Sequence, residues 1–215
     1  MDLTLQLQQL RREYQITELD PSLLDKDPIK QCEIWITQAI KTQVPDPTAM
    51  VLATVDAQQQ PSTRVVLLKG IENQAFIFYS HYDSRKASDM AQNPKVGLEF
   101  FWPLLERQII IQGQANKLNP ADSDAYFSTR PRESQISAWA SLQSQMIPSR
   151  DALVARQQDY SEQFAGISVP RPPNWGGYAV KPHYIEFWQG REMRLHDRIA
   201  YELHDNIWKI NRLAP

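Results

Sequence analysis

The chain of 215 residues is long enough to bury a substantial core in one large domain. Its 23 basic and 25 acidic residues leave a formal charge of -2, which excludes the broad positive field of a general nucleic-acid binder; any anion site must be local. The single Cys32 excludes an internal disulfide, no CxxC or Cys/His cluster supports a metal site, and no apolar run reaches membrane-spanning length, so a soluble, cytoplasmic protein is expected.

Residues 3–14, rich in Leu, Gln and Arg, predict a short helix, and a polar connector follows to Asp27. Asp27 as cap, Pro28 at the first helical position, and Ile29, Cys32, Ile36, Ala39 and Ile40 at helical spacing predict a second helix that Pro45 stops. An N-terminal helical segment therefore covers 1–43. The period then changes: AMVLATV (49–55), STRVVLLK (62–69), AFIFYS (75–80), VGLEFFW (96–102) and RQIIIQGQA (107–115) predict short antiparallel strands. Between them SRKASDMAQNP (84–94) predicts a helix that opens at Ser84 and ends at Asn93-Pro94. Further helices are predicted from Asn119-Pro120 through Tyr126, over 132–141, and from Ser149 towards Phe164. Strands return at YAV (178–180), YIEFW (184–188), RLHDRIAYEL (194–203) and IWKINRL (207–213). Sheet early, helices inserted and sheet late, without a βαβ rhythm, predict a mainly-β chain with helices, an α+β fold in which a closed or partly closed barrel protects the strand edges. With no repeat or linker, residues 1–215 are expected to form a single domain.

Four places carry candidate chemistry. In the run Ser84-Arg85-Lys86, free backbone N-H groups, a hydroxyl and two cations meet at a helix start. Basic residues there oppose the helix dipole, a conflict that a bound dianion removes and that surface helices also tolerate. Arg64 and Lys69 are five apart, so an unbroken strand sends them to opposite faces, serving either different ligand groups or solvent. Tyr126, Arg130 and Ser134 recur every four residues across Pro131, which breaks or reshapes a helix, and offer a fork of donors with two hydroxyls, a set that suits a second phosphate or a polar helix junction. In RLHDR (194–198), an extended chain puts Arg194, His196 and Arg198 on one face; either an anionic ligand or a solvated, aggregation-blocking edge fits those five residues alone. Neither GxGxxG nor a Walker loop is present.

Taken in order, the runs LRREY (10–14), DPTAMVLATVD (46–56), RVVLLK (64–69), FYS (78–80), SRKA (84–87), LERQ (105–108), YFSTRPRESQISAWAS (126–141), WGGY (175–178), EFWQG (186–190), RLHDR and the terminal RLAP closely resemble the pyridoxamine 5'-phosphate oxidase family. Gln145 and His81 depart from that family's pattern, in which a serine and a small polar residue are usual. The resemblance implies an FMN-binding split β-barrel acting as a homodimer, with FMN at the subunit interface. It implies oxidation of pyridoxamine 5'-phosphate and pyridoxine 5'-phosphate to pyridoxal 5'-phosphate, with O2 as acceptor giving H2O2, in vitamin B6 biosynthesis and salvage. Matched by motif, the cofactor residues are Arg64, Val65, Val66, Leu67, Leu68, Lys69, Tyr79, Ser80, Arg85 and Lys86, with Gln108, Trp188 and Arg198 around the flavin and Gln143 and Ser144 contributed by the other subunit. Lys69, Tyr126, Arg130 and Ser134 match the holders of the substrate phosphate, and Arg194 and His196 the catalytic pair at the substrate ring. A storage protein for flavin or pyridoxal phosphate and a flavin reductase share part of this pattern. The Arg194–His196 pair argues against the first, and the second phosphate group against the other.

Overall fold

Helix caps and strand alternation place most elements where the sequence puts them. The computed structural model describes residues 2–10, 13–14 and 18–215. Helix α1 (Leu3–Gln9) opens on Asp2, whose carboxylate accepts from the Thr4 amide. It ends before residue 14, and Arg11 and Arg12 of the LRREY run lie outside the described residues. Helix α2 (Pro28–Lys41) begins as predicted, the Asp27 side chain accepting from the Ile29 amide. Its buried face carries Ile29, Cys32, Trp35, Ile36 and Ala39; Ile40, expected on that face, is exposed at the last turn.

Strands β1 (Ala49–Val55) and β2 (Pro61–Leu67) form a hairpin, followed by β3 (Gly70–Glu72), β4 (Ala75–His81), helix α3 (Arg85–Gln92), β5 (Lys95–Trp102) and β6 (Arg107–Lys117). Helices α4 (Pro120–Ser128), α5 (Arg132–Ala140) and α6 (Arg150–Gln163) come next, α4 and α6 capped by Asn119 and Ser149. The runs at 178–180 and 184–188 prove to be one strand, β7 (Trp175–Gln189), which continues through Pro182. Strands β8 (Asp197–His204) and β9 (Ile207–Leu213) close the chain. Strands are hydrogen-bonded in the order β2-β1-β5-β6-β7-β4-β3, with β8 on β7 and β9 on β8. The class is the expected one, a mainly antiparallel sheet with helices inserted in its connections.

The RLHDR expectation requires correction. Glu192–Arg194 form a single 3-10 turn in which Met193 and Arg194 have φ of 52° and 61°, and the strand begins only at Asp197. Arg194, His196 and Arg198 therefore do not alternate along one extended face, because a left-handed turn precedes the strand. The RVVLLK strand is likewise broken after Leu67, so face parity does not relate Arg64 to Lys69.

Residues cluster into two compact units. The first comprises Met1–Thr48, Glu99–Ile111 and His183–Pro215. In its core Trp35 meets Phe187 edge-on at 5.1 Å, and Phe187 meets Tyr201 at 5.6 Å. The second comprises Ala49–Leu98 and Gln112–Pro182. Its core pairs β4 with β7 through stacked Phe78 and Tyr178, and packs Phe127, Ile136, Ala138, Phe164, Val169 and Trp175 together. Gly113 of β6 sits so close to β7 that a Cβ would lie 2.5 Å from the Lys181 carbonyl oxygen. Gly113→Ala should therefore cost about 1–3 kcal/mol, read as a fall in the thermal unfolding midpoint. Among the described residues no helix is long and apolar enough to cross a membrane.

Candidate functional site

Because the β2 strand alternates, Ser62, Arg64 and Val66 share a face, and antiparallel pairing sets Arg64 opposite Leu52 and Ser62 opposite Thr54. The Arg64 guanidinium donates to the Leu52 carbonyl at 3.1 Å, to Thr54 Oγ1 at 2.7 Å and to Ser62 Oγ at 2.6 Å. Asp89 of α3 accepts from Thr54 at 2.6 Å and lies 3.9 Å from Arg64. Arg64 is thus fixed by its own hairpin before any ligand arrives.

Where β4 gives way to α3, the chain builds a buried cation. Ser84 precedes the helix, but its hydroxyl does not cap it; it donates to the His81 carbonyl at 2.7 Å. Lys86, in the first turn, is 8% exposed. Its ammonium donates to Gln143 Oε1 at 2.8 Å and Ser80 Oγ at 3.1 Å, with Ser84 Oγ at 3.4 Å, all of them neutral oxygens. Burial, with Arg64 adding repulsion, pulls the Lys86 ammonium down to about 8. His81 is buried beside it with Nδ1 unpaired; burial first, then Lys86 and Arg130, push its pKa down, against the pull of Asp83.

A second cationic group forms where Pro131 separates α4 from α5. Arg130 lies between the two helices, 4.7 Å from the centroid of the Trp175 ring, and its Nη1 is buried without a hydrogen-bond partner. Tyr126 stacks on Tyr79 at 3.8 Å and Tyr79 on Trp175 at 5.3 Å, the three rings nearly parallel. Burial raises the Tyr79 phenol to about 12, so both hydroxyls stay neutral donors at ordinary pH. Tyr79 fits because its strand partner is Gly177, where a Cβ would lie 2.9 Å from the ring.

These groups line one cavity of about 970 Å³ in the second unit. Arg64, Lys69, Arg85, Lys86 and Arg130 line it and no Asp or Glu does. Val65, Val66, Leu67, Tyr79, Ser80, Tyr126, Ser134, Gln143 and Ser144 are also on its wall, whereas Leu68 is buried and does not line it. Gln143, expected from another subunit, here accepts from Lys86 of its own chain. Sequence reasoning missed Ser62, whose hydroxyl was signalled by its i, i+2 relation to Arg64, and Trp175, for which local pattern gave no signal. In a chain of charge -2, such an acid-free concentration of cations is suited to phosphate.

Phosphate affinity should follow the Lys86 titration. Binding of a phosphate ester should be level below pH 7 and weaken by about tenfold per unit above pH 8, until the raised pKa of the bound state is reached. Titrating the protein with phosphate ester from pH 6.5 to 9.5 tests this. The ligand-free fold has the opposite sign: a lysine depressed on folding leaves the unfolded chain binding more protons, so this group favours folding as pH rises from about 8.

The remaining predicted residues belong to the first unit. Arg198 donates from Nε and Nη2 to the two oxygens of buried Glu186, at 2.7 and 3.0 Å, and from Nη1 to the Ala214 carbonyl at 2.9 Å. The Tyr184 hydroxyl donates to the same carboxylate at 2.7 Å. His196 packs on Trp188 at 4.8 Å and edge-on to Tyr14 at 5.4 Å, and its Nδ1 accepts from the Arg191 amide at 3.1 Å. Burial and Arg194 lower its pKa, and because Nδ1 accepts, the neutral ring carries its proton on Nε2. Arg194 is exposed and Gln108 half-buried.

Known proteins resemble this chain in sequence and in fold. Residues 36–164 match the family model described as pyridoxamine 5'-phosphate oxidase, and residues 175–215 that of the pyridoxine 5'-phosphate oxidase C-terminal dimerisation region. Pyridoxine/pyridoxamine 5'-phosphate oxidases of Cupriavidus taiwanensis and Chromobacterium violaceum are each 50% identical, covering 98% and 99% of this chain and 99% and 100% of their own. PhzG from Burkholderia lata, solved in complex with tetrahydrophenazine-1-carboxylic acid, superposes with a TM-score of 0.88 at 31% identity, covering 93% of this chain and 99% of that one. A pyridoxamine 5'-phosphate oxidase-related, FMN-binding protein of Nostoc punctiforme shares the fold, with a TM-score of 0.72 at 16% identity over 89% of this chain and 100% of that one. Matched by family models over residues 36–164 and 175–215 and by half-identical relatives over nearly its whole length, this split-barrel chain belongs to the pyridoxamine 5'-phosphate oxidase family of oxidoreductases.

Proposed function

We propose that the protein oxidises pyridoxamine 5'-phosphate and pyridoxine 5'-phosphate to pyridoxal 5'-phosphate, with FMN as cofactor and O2 as acceptor, in the cytoplasmic biosynthesis and salvage of vitamin B6. The observation that carries this reading is the acid-free cavity with two cationic groups, one at the β4–α3 junction and one at the α4–α5 junction. Cofactor and substrate each bring a phosphate, and each group suits one. The fit is chemical: Lys86 has only neutral partners, and Arg130 has a buried N-H without any.

On this reading Lys86, Arg85, Ser80 and Arg64 hold the FMN phosphate, with Val65, Val66, Leu67, Lys69, Tyr79, Gln143 and Ser144 beside the cofactor, while Leu68, off the cavity wall, supports the adjoining strand from the core. Lys69, Tyr126, Arg130 and Ser134 hold the substrate phosphate. Bound there, FMN would supply the two-electron acceptor for the substrate 4' carbon, with O2 taking the electrons and two protons as H2O2; for the amine substrate, water would replace the nitrogen, which would leave as ammonia. Gln108, Trp188 and Arg198 would contact the flavin, Arg198 with its plane fixed by the Glu186 carboxylate that pairs with it. A guanidinium is a fork of donors and not a base, so the part of Arg194 is to clamp the pyridine ring. His196 has Nδ1 engaged by the Arg191 amide, so its free edge is an Nε2-H donor that orients the substrate. The dimerisation-region match at 175–215 supports a homodimer with FMN at the interface. Strands β5, β6 and β7 each contribute residues to both units, which supports reading 1–215 as one domain.

The test is reconstitution. Flavin-free protein should quench FMN fluorescence at one equivalent per chain and then convert pyridoxine 5'-phosphate to pyridoxal 5'-phosphate, seen by chromatography. Unchanged FMN fluorescence overturns the reading.

A further inference from the structure

Arg130 poses a physical problem that its place in the phosphate group does not solve. Burial lowers its pKa, no carboxylate lines its cavity, and its Nη1 lacks a partner. A guanidinium so placed needs another source of stabilisation. The Trp175 ring lies 4.7 Å away and the Phe127 ring 5.5 Å away, within the range where the negative face of an aromatic ring holds a cation.

Trp175 is itself held rigidly. It is 5% exposed, stacks with Tyr79 and Tyr126, and meets Phe127 edge-on at 5.1 Å. Its carbonyl accepts from Arg171 Nη1 at 2.6 Å, while Arg171 Nε donates to Asp124 of α4 at 2.6 Å. The helix that carries Tyr126 is thereby tied to the backbone of Trp175.

A carboxylate partner would take up the N-H groups of the guanidinium, and an incoming phosphate would have to displace it. A cation held over a ring face needs no acceptor, so its N-H groups stay unused. We propose that Trp175 is a positioning residue for the substrate phosphate: its ring holds Arg130 in place of a counter-ion and so keeps the fork of donors free for the phosphate. This rests on reading Arg130 as a substrate-phosphate ligand.

The test compares Trp175→Phe and Trp175→Leu in the FMN-loaded protein, measuring pyridoxal 5'-phosphate binding by calorimetry alongside kcat and KM for pyridoxine 5'-phosphate. Trp175→Leu should weaken binding roughly tenfold and raise KM similarly with kcat nearly kept, and Trp175→Phe should recover most of the loss. In an Arg130→Ala background neither substitution should weaken binding further. If Trp175→Leu does not fold, Trp175→Phe with and without Arg130→Ala decides the matter, with an effect of about threefold expected only when Arg130 is present. Equal losses in both backgrounds, or wild-type binding in Trp175→Leu, overturn the inference while leaving the oxidase reading intact. Conversely, Arg130- and Trp175-dependent binding in a protein that oxidises nothing would uphold the inference and overturn the oxidase reading.

Discussion

Lys86→Met should leave the purified protein colourless and lower FMN affinity by about two to three orders of magnitude, because a buried charge that meets a phosphate in a water-poor site is among the costliest contacts to truncate. The ammonium is buried among Ser80, Ser84 and Gln143, with no carboxylate bonded to it. Ligand-free, that arrangement is unfavourable, since burial and Arg64 both act against the charge. Removing the charge should consequently raise the thermal midpoint of the flavin-free protein while abolishing flavin retention. Fluorescence titration and thermal unfolding measure the two effects separately. A variant that retains stoichiometric FMN contradicts the assignment of this site.

Arg194→Ala is expected to have the opposite profile: FMN retained, and kcat/KM for pyridoxine 5'-phosphate reduced about 10²- to 10³-fold, the scale of losing an orienting clamp. Met193 and Arg194 both adopt positive φ, a conformation that costs non-glycine residues of order 1–3 kcal/mol. Arg194→Gly should therefore raise the thermal midpoint while losing the same turnover. Steady-state kinetics with a flavin spectrum on each variant checks both; loss of flavin from Arg194→Ala sinks the division of roles.

The strained turn also shows where sequence reading stops. Strand β1 and the start of α2 were legible because a short, nearly continuous apolar run and an Asp-Pro start each encode one local structure. At 192–196 nothing marks a turn, since neither glycine nor asparagine occupies the positive-φ positions, and the alternation of charges imitated a strand. Ile40 has the right spacing for the core, but α2 turns it outward at its last turn and buries Trp35 instead. At the site, the cations were legible by type: Arg64, Lys69, Arg85, Lys86 and Arg130 all reach the cavity wall. What joins them was not. The stack of Tyr79, Tyr126 and Trp175 assembles residues from β4, α4 and β7, and no local periodicity records a contact between such distant segments. The paired Glu186–Arg198 carboxylate and guanidinium, twelve residues apart on neighbouring strands, is a tertiary fact of the same kind.

Oxidation of phosphate-anchored vitamin B6 substrates at the expense of O2 is the activity proposed for this protein. Oxygen uptake by the FMN-loaded protein tests it most directly. Adding pyridoxine 5'-phosphate or pyridoxamine 5'-phosphate should consume one O2 and yield one H2O2 per pyridoxal 5'-phosphate formed, with far slower uptake for unphosphorylated pyridoxine. A yellow protein that consumes no O2 with either phosphate ester, or that oxidises pyridoxine equally well, would contradict it.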